Sequence, residues 1–386
     1  MSKFVCKVPD QSLLQNVEAF CLADAPYDHS TAAEGQFIKA MNEVVSWHSK
    51  KSDLFAKLCK EHKVGQLGSL QDIAKLPFIH ANFFKMHEVL SIPRDSVYVH
   101  LTSSGTTGQK SQIFFDEWSL KCAQRMVESI FKFYKWEKPN EPTNYLLFTY
   151  EPHANLKLGT SFTDNYLCQF TKINKVFYAL RSIGNERHEF DVFGTIRALQ
   201  DFAEEGLPVR ILGFPSFMYF TLERFEAMGC KPLHFPEQSM TFFGGGWKGH
   251  ADKKIEKADL YARIERCLGF KNSFLRDGYG SVEHCIPYVE CSQHEFHVPT
   301  WSRVLIRDVR TLQPLPDESV GYLQFVSPYI TSVPAVSVLM GDLASLHKKC
   351  GCGLSTPFFR LHGRAGVSKN KSCALAAAEL LKGKSA

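Results

Sequence analysis

The sequence predicts a layered α/β fold, and three observations carry that expectation. Short β-rich runs at 145–150, 209–213, 240–243, 321–326 and 335–340 alternate with helical stretches near 191–205, 216–228 and 252–268. Strands and helices in alternation pack as layers of sheet and helix. Glycine-rich turns follow two of the predicted strands, at 102–110 and 244–246, where α/β proteins place their ligands. Finally, 386 residues with 44% hydrophobic content suit one large core with a smaller unit beside it.

Taken in order, residues 11–23 and roughly 33–62 read as helices. In the second, Phe37, Met41, Val44, Val45 and Leu54 to Leu58 keep a three-to-four-residue apolar spacing. Pro77 and Pro93 break the pattern before a strand read at 97–100. A third helix is expected where Trp118, Cys122, Met126, Ile130 and Phe133 repeat, a stripe that reads as core packing. The pattern turns irregular and rich in Cys and His near 285–300. We therefore expect a main α/β core over 1–284, a β-rich subdomain over 285–363 and a short mobile tail over 364–386.

Composition excludes several classes. A net charge of +5 is too mild to argue for nucleic acid, though it suits an anionic ligand. The N-terminus lacks an apolar stretch of signal-peptide length, and no apolar run approaches the ~18 residues of a membrane span. Twelve scattered cysteines without a secretory signal favour free thiols, a metal site or catalysis, hence the cytoplasm.

The chemistry concentrates in a few stretches. Residues 101–111, LTSSGTTGQKS, combine Ser103, Ser104, Gly105, Thr106, Thr107, Gly108 and Lys110. Glycines let the backbone turn with its N–H groups inward, a concavity suited to phosphate oxygens, and Lys110 adds positive charge. It is not a Walker A loop, since Gln109 stands where that pattern needs glycine before the lysine. Gly244, Gly245 and Gly246, followed by Trp247 and Lys248, leave room for a flat ring against the backbone. Tyr279, Gly280, Ser281 and Glu283 offer an aromatic face, a hydroxyl and a carboxylate around one turn. Asp342 ends a β-rich run, as an acid does when it holds ribose hydroxyls, and Arg364 supplies a cation near the C-terminus.

In this order the set resembles the ANL adenylating superfamily, which joins acyl-CoA synthetases, adenylation domains and luciferases. The resemblance implies an ANL-like adenylating fold with a strongly reduced C-terminal domain. It assigns ATP phosphates to residues 103–110, adenine to Gly244–Gly246, Mg²⁺ to Glu283, ribose to Asp342 and a hinge to Arg364. A narrower resemblance covers nearly the whole chain. SSGTTGQKSQ, GGGWK, HVPTW and NKSCALAAAE are similar to LuxE-type acyl-protein synthetases. These activate a long-chain fatty acid as acyl-AMP, move it to a cysteine near their own C-terminus, and serve a fatty-acid reductase. That cysteine falls here on Cys373.

The residues around Cys373 fit a nucleophile independently. ALAAAELL is a strong short helix former with Ser372 as its N-cap, and a thiol in a first helical turn is favoured as thiolate. A small apolar residue in a terminal helix is the other reading. The adenylation lysine of the superfamily normally sits in the C-terminal domain that is reduced here, and Lys248 is the candidate replacement. Phe214, Phe217, Met218, Tyr219 and Phe220 line an acyl tunnel or pack as plain core. Cys291, His297, Cys350 and Cys352 suit a structural zinc, with His294 competing for the fourth place and free thiols as the alternative. Phenylacetate-CoA ligase-like relatives carry similar stretches, so coenzyme A stands as the alternative acyl acceptor. A non-catalytic adenylate-binding scaffold is the reading from another class.

Overall fold

A computed structural model of the chain describes residues 6–102, 112–152, 159–184, 187–247, 250 and 253–365. Its centre is a seven-stranded sheet in the spatial order Tyr288–Val289, Leu275–Tyr279, Met240–Gly244, Val209–Gly213, Lys138–Tyr150, Thr171–Ser182, His188–Phe190. The five inner strands run parallel and the two outermost antiparallel. Three of the crossovers are the helices Val192–Glu205, Pro215–Ala227 and Lys257–Leu268, and a fourth carries Gly159–Leu167.

Period-two alternation divides the sheet between two cores. Leu146 and Phe148 pack with Ile211, Phe243 and Leu275 against the three crossover helices. Tyr145 and Leu147, with Leu212 and Met240, face a larger core that includes the helix Glu117–Phe133 and a second sheet. Residues 209–213 are buried on both faces, as the inner strands of a covered parallel sheet are.

The second sheet has six strands. Phe296–His297, Phe358–Arg364, Ser337–His347, Gly321–Val326 and Arg303–Arg307 form an antiparallel run, and Ile79–His80 joins Ser337–His347 in parallel. A separate hairpin pairs Val99–Thr102 with Gln112–Phe115, Thr102 lying opposite Gln112. Its two strands flank residues 103–111.

Local chemistry explains the helix ends. Asp116 Oδ1 accepts from Ser119 N–H at 2.7 Å, and its other oxygen accepts from Thr331 Oγ1 at 2.5 Å. The N-cap of Glu117–Phe133 thus also ties that helix to the loop before Ser337. Asp191 caps Val192–Glu205 through Gly194 N–H at 2.8 Å. Gly206 and Gly269 end helices in the left-handed conformation.

The predicted 33–62 helix is two helices, Thr31–Lys51 and Asp53–Glu61, because Ser52 is extended and caps the second. Asp342 does not end a strand as expected. It stands in the middle of the eleven-residue Ser337–His347, because pairing on both sides carries that strand beyond its apolar run. No helix among the described residues is long and apolar enough to cross a membrane.

Candidate active site and metal cluster

The carboxyl ends of Val209–Gly213, Met240–Gly244 and Leu275–Tyr279 open on one cavity of about 250 Å³. The first of these strands borders the point where the strand order reverses, since Lys138–Tyr150 has Thr171–Ser182 on one side and Val209–Gly213 on the other. Such a reversal leaves a crevice for ligands. Gly244, Gly245, Gly278, Tyr279, Gly280 and Ser281 form one part of the wall, joined by Leu101 and Phe115 from the hairpin flanking 103–111. The rest is mostly apolar, with Gln124, Thr163 and Asp164 as polar members, and is drawn mainly from Glu117–Phe133, Gly159–Leu167 and residues 285–289.

Two glycines explain how the backbone turns here. Gly213 has φ of 107°, and a Cβ on it would meet Phe148 O at 2.4 Å. Gly245 has φ of 72°, a conformation L side chains rarely adopt. Of the predicted adenine-binding run, Gly244 and Gly245 line the cavity. Trp247 packs toward the helix Pro215–Ala227, its ring centroid 5.5 Å from that of Tyr219.

Three predicted residues from distant parts of the chain meet. Tyr279 Oη donates to Asp342 Oδ2 at 2.9 Å, and Arg364 Nε donates to Asp342 Oδ1 at 3.2 Å. The Asp342 side chain is 13% exposed and that of Arg364 is 69% exposed, so the carboxylate is sheltered and the guanidinium reaches solvent. Asp342 and Arg364 are direct partners across neighbouring strands. Burial, then the adjacent Asp342 charge, push the Tyr279 hydroxyl far above its usual pKa, so it acts as a neutral donor. Glu283 is buried next to the cavity-lining Val282. Cys285 also lines the cavity, and burial followed by Glu283 pushes its thiol up to about 12.

Residues 103–110, Lys248 and Cys373 lie outside the described residues. Of the Phe-rich stretch, Phe214 lines the cavity. Met218 instead points into the core under the crossover helices with Leu222 and Phe225, because the helix Pro215–Ala227 turns that face inward. Sequence reasoning passed over the cavity walls at Ala123, Gln124, Val127 and Tyr166, whose residue types are those of any core.

A second cluster stands in the six-stranded sheet and the segment entering it. One ligand atom each from Cys291, His297, Cys350 and Cys352 lies within 4.8 Å of all the others. Cys291 Sγ and Cys350 Sγ are 3.7 Å apart, and Cys352 Sγ is 3.3 Å from His297 Nε2. Two sulfurs bound tetrahedrally at 2.3 Å stand about 3.8 Å apart. Backbone N–H groups of Gln293 and Leu354 donate to Cys291 and Cys352 sulfurs at 3.3 and 3.4 Å, which fixes the two side chains in place. His297 Nδ1 shares a hydrogen bond with Thr356 Oγ1 at 3.0 Å, leaving Nε2 toward the sulfurs. His294 is held elsewhere, by Asn272 at 3.2 Å and Glu290 at 3.5 Å. His297, and not His294, is therefore the histidine of the cluster.

The fold places the chain in the architectural class of solved CoA ligases. Crystal structures of 2-hydroxyisobutyryl-CoA ligase share the architecture. The open conformation with 2-HIB-AMP and CoA is 13% identical, covers 90% of this chain and 79% of its own, and has a TM-score of 0.65. A postadenylation state with 2-HIB-AMP gives 0.66 at 13% identity, over 92% of this chain and 75% of that one.

Within that class the chain belongs to the family described as acyl-protein synthetase, LuxE, whose model matches residues 5–382. It is 23% identical over 297 residues to the long-chain-fatty-acid–luciferin-component ligase of Vibrio harveyi, covering 76% of this chain and 74% of the relative. The Aliivibrio fischeri protein of the same name is 23% identical over 311 residues, with 78% and 76% covered.

Proposed function

We propose that this chain activates a long-chain fatty acid as acyl-AMP and then carries the acyl group on Cys373 as a thioester, for delivery to an acyl-protein reductase. The observation that supports it best is the apolar cavity opening on the glycine turns beside Asp342 and Tyr279. A fatty tail and an adenylate would there share one crevice.

In the first step a carboxylate oxygen of the fatty acid bonds to the α-phosphorus of ATP, and pyrophosphate leaves with the electrons of the broken P–O bond. The chain's part is alignment and charge neutralisation. Asp342 accepts from the ribose hydroxyls, Gly244 to Gly246 lie along adenine, and the backbone of 103–108 with Lys110 holds the phosphates. Lys248 supplies the cation of this step. Glu283 would hold Mg²⁺, which when bound offsets phosphate charge. In the second step Cys373 thiolate attacks the acyl carbonyl, AMP departs, and a thioester remains. The cavity's own Cys285 does not compete, since its thiol stays protonated at neutral pH.

The four-membered Cys/His set fits a tetrahedral zinc. With every position filled by protein, zinc there would fasten chain segments and leave no place for a reactant. None of the eleven described cysteines is in a disulfide, which supports a reducing, cytoplasmic setting.

Intact mass spectrometry after incubation with ATP, Mg²⁺ and palmitate tests the transfer. We expect an acyl-sized gain in mass that hydroxylamine removes and that Cys373→Ser lacks. Unmodified protein together with newly formed acyl-CoA, once coenzyme A is added, would assign the acceptor to coenzyme A instead. ATP binding without pyrophosphate exchange would reduce the chain to an adenylate-binding scaffold.

A further inference from the structure

We infer that one face of the helix Glu117–Phe133 sets the length of acid the protein accepts, with Ala123 and Val127 as the limiting side chains and a straight aliphatic tail as the ligand. The inference rests on the proposed fatty-acid reading and deepens it. Leu120, Ala123, Gln124 and Val127 all line the cavity, and their spacing of three, four and seven places them on one helix face. The neighbouring stripe of Trp118, Cys122, Met126 and Ile130 is fully packed core. Ala123 and Val127 are apolar and inward-facing yet only partly buried, because the space in front of them is empty.

The opposite wall is fixed. Tyr166 Oη donates to Gln124 O at 3.1 Å and to Glu128 Oε1 at 2.8 Å. Its ring thereby stands as a rigid partition between Gly159–Leu167 and Glu117–Phe133. Only one charged residue, Asp164, is among the described residues lining the cavity, and it belongs to the same helix as Tyr166. In the proposed reaction the carboxylate is activated at the glycine turns, so the acid enters tail-first and its head stays at Gly244, Gly245 and Ser281. The tail then ends against Ala123 and Val127. Each methylene withdrawn from water changes affinity about fourfold, so one side chain at this wall is enough to move a chain-length optimum.

The test compares wild type, Ala123→Phe, Val127→Phe and the enlarging Val127→Ala by two readouts. Pyrophosphate exchange is measured with saturated acids from octanoate to stearate, and palmitate and octanoate binding by calorimetry without ATP. Either Phe variant is expected to lose palmitate binding at least tenfold while keeping octanoate within about threefold, and Val127→Ala to move the optimum to longer acids. An unchanged length profile in a folded Phe variant and in Val127→Ala overturns the inference, as does an equal loss for both acids. Should wild type bind palmitate with this variant pattern but catalyse no exchange, the channel stands and the proposed reaction falls.

Discussion

A pair of substitutions separates the observed tether of Asp342 to Tyr279 from its proposed contact with ribose. In Asp342→Ala the Tyr279 hydroxyl loses its acceptor in a sheltered site, at a cost of about 1–3 kcal/mol for an unsatisfied group. The Arg364 arm is largely exposed and adds under about 1 kcal/mol. A loss near 2 kcal/mol in a chain of 386 residues corresponds to a Tm lower by roughly 2–3 °C. Asp342→Asn keeps an oxygen for Tyr279 and should melt within about 1 °C of wild type. It nevertheless removes the charge that would receive the ribose hydroxyls, a charge-assisted bond of about 1.5–3 kcal/mol. The kcat/KM for ATP in pyrophosphate exchange should therefore fall roughly 10- to 150-fold. Differential scanning calorimetry and exchange kinetics read the two effects independently. Wild-type kcat/KM for ATP in Asp342→Asn refutes the ribose assignment, and an unchanged Tm in Asp342→Ala refutes the tether to Tyr279.

Acid should weaken the fold before it protonates most carboxylates. Burial holds His48 down at about 4 and His284 at about 3, both below the unfolded value of about 6.5. Their contribution is complete above pH 6.5 and is lost as pH falls through that window toward 4, where the unfolded chain binds more protons. Urea titrations at pH 7.5, 6 and 5 should show stability falling, with a shallower fall in His48→Gln, whereas a flat profile contradicts buried neutral imidazoles. Cys352→Ser should lower zinc in protein purified without added metal from about one equivalent to under a tenth and reduce Tm, while His294→Gln should leave metal content unchanged. Plasma emission measurements on both variants decide this, and wild type below a tenth of an equivalent rejects the metal. Gly246→Ala, at φ of 66° with open space around it, should cost about 1 kcal/mol. Gly213→Ala should cost more, since its Cβ would strike the Phe148 carbonyl, and equal melting of the two would refute that clash.

The parts legible in the sequence are those with few physical alternatives. Glycines directly after the run 240–243 predict a turn at positive φ, which other residue types adopt only rarely, and the strand Met240–Gly244 ends there. Cys291, His297, Cys350 and Cys352 stood out because thiols and an imidazole rarely share a pattern by chance, and folding brings them together. Two classes of feature were hidden. The strands Thr171–Ser182 and Phe358–Arg364 carry charged and polar residues at exposed positions, so neither shows the apolar run that marked the inner strands. Cavity walls were hidden for a different reason. Ala123 and Val127 are core residue types on an amphipathic helix, and only the absence of an opposing side chain distinguishes them from Met126. The order of motifs singled out Tyr279, Asp342 and Arg364 one by one, whereas the Asp342–Arg364 pairing follows from the register of two strands and the Tyr279–Asp342 contact from the docking of the two sheets.

That docking also shows why the cavity at the glycine turns and the Cys/His cluster belong to one design. Tyr279 closes a strand of the seven-stranded sheet, while Asp342 and Arg364 belong to the six-stranded one, so the carboxylate meets its donor only when the sheets are docked. The chain passes from one sheet to the other between Val289 and Phe296, and Cys291 stands in that passage while its three companions are on the far side. Beside it Glu290, fully buried, accepts from Tyr261 Oη and from the backbone N–H of Asp277, both at 2.9 Å, and pairs with Lys257. The passage is thus anchored to the strand Leu275–Tyr279 at one end and, through the sulfurs, to the six-stranded sheet at the other. A metal there would stabilise the docked arrangement of which the Tyr279–Asp342 contact is a consequence, so under the proposed function the cluster would bear on how ATP is held.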